Sequence, residues 1–115
     1  MEQLNRVELR GTVGNTYFYD FGDRQVMRFS VVTNFAYKGR QGDVIEATWH
    51  NVTVWSSPRV QDVKSIAKGA KIHLVGRLKN DRYLNKEGQE TTSYEIVADR
   101  FEIINPDETF VSEMN

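Results

Sequence analysis

The chain contains no cysteine among its 115 residues. Disulfides, thiolate catalysis and cysteine-ligated zinc or iron–sulfur sites are thereby excluded, and the composition fits a reducing, intracellular setting. Long apolar runs are missing as well. No stretch approaches the roughly 18 apolar residues of a spanning helix, and Met1-Glu2-Gln3-Leu4-Asn5-Arg6 lacks the apolar segment of a secretion signal. A cytoplasmic protein is expected, so the sequon Asn51-Val52-Thr53 carries no meaning. His50 and His73 are the only imidazoles. His73 has no serine or carboxylate at motif spacing, and the chain has no phosphate-cradling glycine loop, paired-histidine ligand set or nucleophile elbow. Acidic residues are plentiful but scattered over turns and outer strand faces. No enzyme, no metal and no cofactor is expected.

A strong charge of one sign is also lacking: the net charge is −1 and the pI about 6.1. Such a balance does not by itself announce a nucleic-acid partner. The distribution is less even. Residues 1–63 carry seven basic and seven acidic side chains, residues 64–86 seven and one, and residues 87–115 one and eight. A basic block followed by an acidic one polarises the surface or marks an acidic tail, although ordinary solvated charge explains many such runs.

What is present is alternation. Val7, Leu9 and Val13 alternate with Arg6, Glu8, Arg10 and Thr12, and Gly11 on the apolar side suggests a bend or bulge. An aromatic connection, residues 14–23, leads to a second strand over residues 25–34, with Met27, Phe29 and Val31 on one side. The Gly and Asp punctuation of residues 38–43 reads as a loop before a third strand. After Trp55, Ser57 can cap and Pro58 can open a helix. Val60, Val63, Ile66 and Ala67 give its apolar side, and Gly69 follows its end. Ile72, Leu74, Gly76 and Leu78 alternate in a fourth strand, and a hairpin with its tip near Lys86-Glu87-Gly88 returns through Tyr94, Ile96, Ala98, Phe101 and Ile103.

Three strands, one short helix and two strands make an all-β domain over residues 1–104, followed by a short acidic tail over 105–115. A five-stranded Greek-key barrel of the OB type, with its helix between strands 3 and 4, has this order, and closure removes the edges that short strands leave open. A half-open sandwich shares the pattern.

The third strand, EATWHNVTVW, has an unusual face. Side chains two apart point the same way, so Trp49, Asn51, Thr53 and Trp55 share one face while His50, Val52 and Val54 share the other, valine-rich core side. Both tryptophans of the chain therefore lie outward, six positions and roughly 20 Å apart at ~3.3 Å per residue. That spacing keeps the rings from touching and suits separate contacts with an extended ligand. Tyr37 opens a segment with Lys38 and Arg40, and Tyr83 lies among Lys79, Arg82 and Lys86. Unpaired bases stack on such rings at about 1–3 kcal/mol each while Lys and Arg neutralise phosphates. Any one outward aromatic is more often a plug or an interface residue. His50, on the core side, reads as a buried or interface histidine.

These residues stand in a series, NRVELRGTVGN, VMRFSVVTN, TNFAYKGRQGD, TWHNVTVW, KGAKIHLVGRL and GQETTSYEIVADRFEII, which resembles the bacterial single-stranded-DNA-binding protein family over about residues 4–104. The resemblance implies an OB barrel assembled as a homotetramer. It implies a cytoplasmic, nucleoid-associated protein that binds single-stranded DNA with little sequence preference in replication, recombination or repair. Tyr37, Trp49, Trp55 and Tyr83 match its stacking positions, and His50 matches a position of subunit contact. Lys38, Arg40, Arg77, Lys79, Arg82 and Lys86 are the candidate phosphate contacts. Tyr37 and Tyr83 stand where the family often has tryptophan, and Asn51 replaces a common arginine. In place of a long linker ending in an aspartate cluster, the chain offers Asp107, Glu108, Phe110, Val111, Glu113 and Met114, so recruitment of replication or repair proteins through such a tip is not implied. The alternative is an OB-fold protein-interaction or primosome-type module that binds nucleic acid weakly.

Overall fold

A computed structural model describes residues 2–104; the acidic tail expected over 105–115 lies outside the described residues. Five strands, β1 (Val7–Asp20), β2 (Gln25–Gly39), β3 (Gly42–Trp55), β4 (Lys71–Leu84) and β5 (Glu90–Ile104), close into a barrel in the order β1-β2-β3-β5-β4. All pairings are antiparallel except β3 with β5, where Val52, Thr53 and Val54 lie beside Ile96, Val97 and Ala98. This short parallel seam completes the all-β Greek-key barrel. The core is the inward half of each alternation, with Val31, Val54 and Ile72 fully buried and Val13, Met27, Phe29, Val52, Leu74 and Ile96 packed around them. Burying each such side chain contributes about 1.5–3 kcal/mol.

Two glycines are needed where strands cross closely. A Cβ on Gly11 would run into the Val32 carbonyl oxygen, and one on Gly76 into the Val97 carbonyl oxygen. Gly76 sits at the register shift between Val75 and Gly76, where β4 bends around β5. The irregularity expected at Gly11 falls slightly later, between Val13 and Thr16.

That bulge explains a correction. The aromatic connection expected over residues 14–23 is mostly strand, since β1 runs on to Asp20 and pairs Tyr17, Phe18 and Tyr19 with Arg28, Met27 and Val26. Phe18 packs against the core while Tyr17 and Tyr19 face solvent. With aromatic rings on both faces and the phase reset by the bulge, no alternation is left to read.

The helix expected after Trp55 is a second correction. Only Val63–Ser65 form one 3₁₀ turn. Val60, Val63 and Ile66 are all buried at the end of the barrel, and their strict three-residue spacing is the period of a 3₁₀ helix, not of an α-helix. Upstream, Ser57 and Val60 exchange backbone bonds of 2.8 and 3.0 Å. Asp62 then takes a left-handed conformation, φ 58°, which an α-helix does not pass through. Gly69 does adopt the positive φ expected of it, 88°.

The loop expected over residues 38–43 narrows to a hairpin tip. β2 and β3 stay paired out to Gly39 and Gly42, leaving Arg40 and Gln41 as the connection. The β4–β5 hairpin turns where expected. Its tip is organised by the Asn85 side chain, which accepts from the Glu87 and Gln89 amides at 3.0 and 2.9 Å.

Candidate nucleic-acid interface

The outer face of β3 is the centre of the site. Trp49 pairs across to Val32 and is 61% exposed. Beneath it is Gly14, where a Cβ would come within 2.8 Å of the Trp49 ring atom Cζ3 and would also strike the Ser30 hydroxyl. The bare glycine is therefore a floor on which the indole lies. Trp55, at the far end of the same face, is half-buried. Its strand end is clamped to β2 by two bonds, Ser56 amide to Gln25 carbonyl at 2.8 Å and Gln25 amide to Ser56 hydroxyl at 2.9 Å. The β1–β2 turn reaches over it: the Phe21 ring stacks at 6.0 Å between centroids, and the Arg24 guanidinium lies 4.4 Å from the indole centroid.

Between the tryptophans lies a groove of about 490 Å3, lined by Tyr17, Tyr19, Arg28, Asn51, Tyr94 and Glu95 among others. Asn51 is exposed. Thr53 faces outward as its parity requires, yet it is only 6% exposed because Glu95 of β5 covers it. The Thr53 hydroxyl donates to the Glu95 carboxylate at 3.0 Å, and Arg28 and Lys79 approach the same carboxylate at 3.6 and 4.0 Å. A carboxylate thus sits in the middle of the face and holds two cations.

Register decides which of the expected residues share this face. Thr53 pairs with Val97 and Val97 with Arg77, so Arg77, Lys79 and Tyr83 project on the tryptophan side of the sheet. Lys38 follows Val32 at even spacing and lies on that side too. Tyr37 pairs with Val44 on the opposite face of the β2–β3 ribbon, 44% exposed, with Phe35 6.2 Å away. Arg82 falls on the opposite face of β4, while Arg40 and Lys86 stand at the two hairpin tips. Tyr83 is half exposed. Among the described residues Lys38, Arg40, Arg77 and Lys86 have no carboxylate partner, whereas Lys79 meets Asp81 at 3.4 Å and Arg82 meets Glu90 at 3.7 Å.

The histidines are both engaged. His50 Nε2 lies 2.9 Å from the Thr33 hydroxyl, and burial lowers its pKa below the ordinary 6.5. His73 Nε2 lies 2.6 Å from the Glu8 carboxylate, and this hydrogen bond is the main cause lowering the Glu8 pKa. Among the described residues no group of three or more His, Cys, Asp or Glu side chains is arranged to hold a metal ion, and no helix is long and apolar enough to cross a membrane.

Sequence reasoning missed Tyr17, Tyr19, Phe21, Arg24, Arg28 and Glu95 as parts of this surface. Phe21 and Arg24 flank a glycine–aspartate turn and carried a recognisable aromatic–basic signal. Glu95 carried none, since only the β3–β5 seam brings it over Thr53.

Known proteins share this barrel. The single-stranded DNA-binding protein of Neisseria meningitidis serogroup A is 33% identical over 104 residues, which is 88% of this chain and 60% of that protein. Single-stranded DNA-binding protein 2 of Streptococcus pyogenes serotype M18 is 32% identical over 79 residues, 69% of this chain and 48% of that protein. The chain thus spans about half to three-fifths of the length of these relatives. A solved structure titled Plasmodium falciparum SSB complex with ssDNA superimposes with a TM-score of 0.72 at 22% identity, covering 91% of this chain and 98% of the other, which establishes the common fold. With the Single-strand binding protein family matching residues 4–104, nearly the whole described barrel, the chain belongs to that family.

Proposed function

We propose that the barrel binds single-stranded DNA without catalysing a reaction on it, by stacking bases on Trp49, Trp55 and Tyr83 and meeting phosphates with Lys38, Arg40, Arg77 and Lys86. The observation that carries this reading is Trp49, an indole lying bare on a glycine floor, on the same face of the sheet as the groove and as Lys38 and Arg77, which have no carboxylate partner among the described residues. The named relatives support it. Tyr37 and Arg82 take part from the opposite faces of their hairpins by wrapping of the strand. Lys79 joins them once its carboxylate partners yield to phosphate.

The protein acts as a homo-oligomer, a tetramer, with His50 near a subunit contact. Pairing supports this. β1 pairs with β2 only from Thr12 onward, so among the described residues the edge of β1 from Val7 to Arg10 that faces away from β4, and the edge of β2 beyond Thr33 that faces away from β3, carry no ladder partner. Thr33 and His50 lie next to that gap. A role in DNA replication, recombination or repair in the bacterial nucleoid follows from the same reading.

Oligo(dT) added to the protein quenches tryptophan fluorescence, duplex DNA of equal length does not, and binding weakens as salt rises. Absence of quenching at low salt overturns the proposal. Exposure of Phe35 and Ile45 on the β2–β3 hairpin, 64% and 70%, favours the second reading, a protein-interaction module, which predicts little oligonucleotide binding.

A further inference from the structure

We infer that Phe21, Trp55 and Arg24 form a clip for one unpaired nucleobase and its phosphate, so that the single-stranded path continues past Trp55 onto the β1–β2 turn. The inference rests on the single-strand reading of the tryptophan face and adds a site to it.

Phe21 is 62% exposed even while it lies against Trp55. Its contact with the indole buries little, so shielding Trp55 is not what the ring achieves. The two rings are within 24° of parallel, with centroids 6.0 Å apart, at the loose end of the range for paired aromatics. Bases in a strand stack about 3.4 Å apart, so a base between two rings needs a separation of about 6.8 Å. The centroid distance includes any lateral offset of the rings, so forming a slot for one base takes an opening of the turn together with a slide of Phe21 over the indole. The turn can make that move as a unit, because its shape is fixed by its own bonds: Phe21 amide to Arg24 carbonyl at 2.9 Å and Gly22 amide to the Asp20 carboxylate at 2.9 Å.

Arg24 supplies the charge. Its guanidinium carbon lies 4.4 Å from the indole centroid, a cation–π contact that does not consume its N–H donors and leaves them available to a phosphate. Among the described residues it has no carboxylate partner. Aromatic face and free guanidinium edge side by side are the two contacts that an unpaired nucleotide needs.

The test uses the Trp49→Phe protein, in which Trp55 is the only indole. Adding Phe21→Ala is expected to weaken oligo(dT) binding at least fivefold, while Phe21→Tyr retains it. Arg24→Gln in the same protein is expected to flatten the slope of log K against log salt by about 0.7, the share of one phosphate on a single strand. Far-UV circular dichroism establishes that each variant keeps the barrel. Unchanged or tighter binding by Phe21→Ala, or an unchanged salt slope in Arg24→Gln, overturns the clip. The unsubstituted protein separates the two failures: if it does not bind oligo(dT), the single-strand reading falls and takes the clip with it, whereas normal binding with indifferent variants removes the clip alone.

Discussion

Trp49 of β3 rests on Gly14 of β1, close enough that a single Cβ at position 14 would approach the indole to 2.8 Å. The contact joins residues 35 positions apart, and it fixes the height and tilt of the more exposed of the two tryptophans. A side chain at position 14 cannot be accommodated by sliding away, since Ser30 closes the other side. Gly14→Val is expected to lift the indole and weaken oligo(dT) binding by about 1–3 kcal/mol, the value of one stacked base. Isothermal titration of the folded variant measures it, and wild-type affinity would contradict the floor assigned to Gly14.

On the proposed reading, Glu95 opposes binding from within the same face. Its carboxylate holds Arg28 and Lys79, and a phosphate entering the groove has to compete for both. Glu95→Gln keeps an acceptor for the Thr53 hydroxyl, 3.0 Å away, while removing the charge. Tighter oligo(dT) binding and a salt slope steeper by about 0.7–1.4 are expected, corresponding to one or two further phosphates neutralised on a single strand. Fluorescence titrations at several salt concentrations read both quantities.

Barrel closure depends on Gly76. A methyl group there meets the Val97 carbonyl, and Val97 is the residue through which β5 joins both Arg77 and Thr53. Gly76→Ala is expected to destabilise the fold by about 1–3 kcal/mol, the usual range for overpacking. Urea denaturation at equilibrium measures the loss, and a stability equal to the parent's would show that the seam has slack.

The face of β3 was legible in the sequence because that strand is long and regular, and parity alone separates Trp49 and Trp55 from Val52 and Val54. The barrel order was legible for the same reason in β2, β4 and β5. Tyr17 and Tyr19 were not, because the bulge before Thr16 resets the alternation in a segment aromatic on both faces. Nor was the contact with Trp55: Phe21 and Arg24 reach it across more than 30 residues of sequence, and no local pattern encodes which strand end they meet. The plug formed by Val60, Val63 and Ile66 shows in the sequence as an apolar repeat but not as a 3₁₀ turn, since a short run of threes fits either period until Asp62 breaks the chain direction.

His50 gives stability a pH dependence whose sign is fixed by burial. Its pKa is lowered from 6.5 because the folded protein disfavours the charged imidazole. Between the lowered folded value and 6.5 the unfolded chain binds more protons, so stability is fully present above 6.5 and is lost as pH falls through the folded pKa. His50→Asn cannot titrate, yet still offers a polar group to the Thr33 hydroxyl, 2.9 Å from Nε2 in the parent. Its stability is expected to be flatter than the parent's as pH falls from 7.5 towards 5, a window set from about the ordinary histidine pKa downward. Glu8 acts lower: its pKa is depressed from 4.5 by the His73 hydrogen bond, so its contribution is present above 4.5 and lost on further acidification. Glu8→Gln should therefore change the acid limb, below 4.5. Urea midpoints measured across both windows separate the two groups, and a His50→Asn profile parallel to the parent's above pH 5 would contradict the burial assigned to the imidazole.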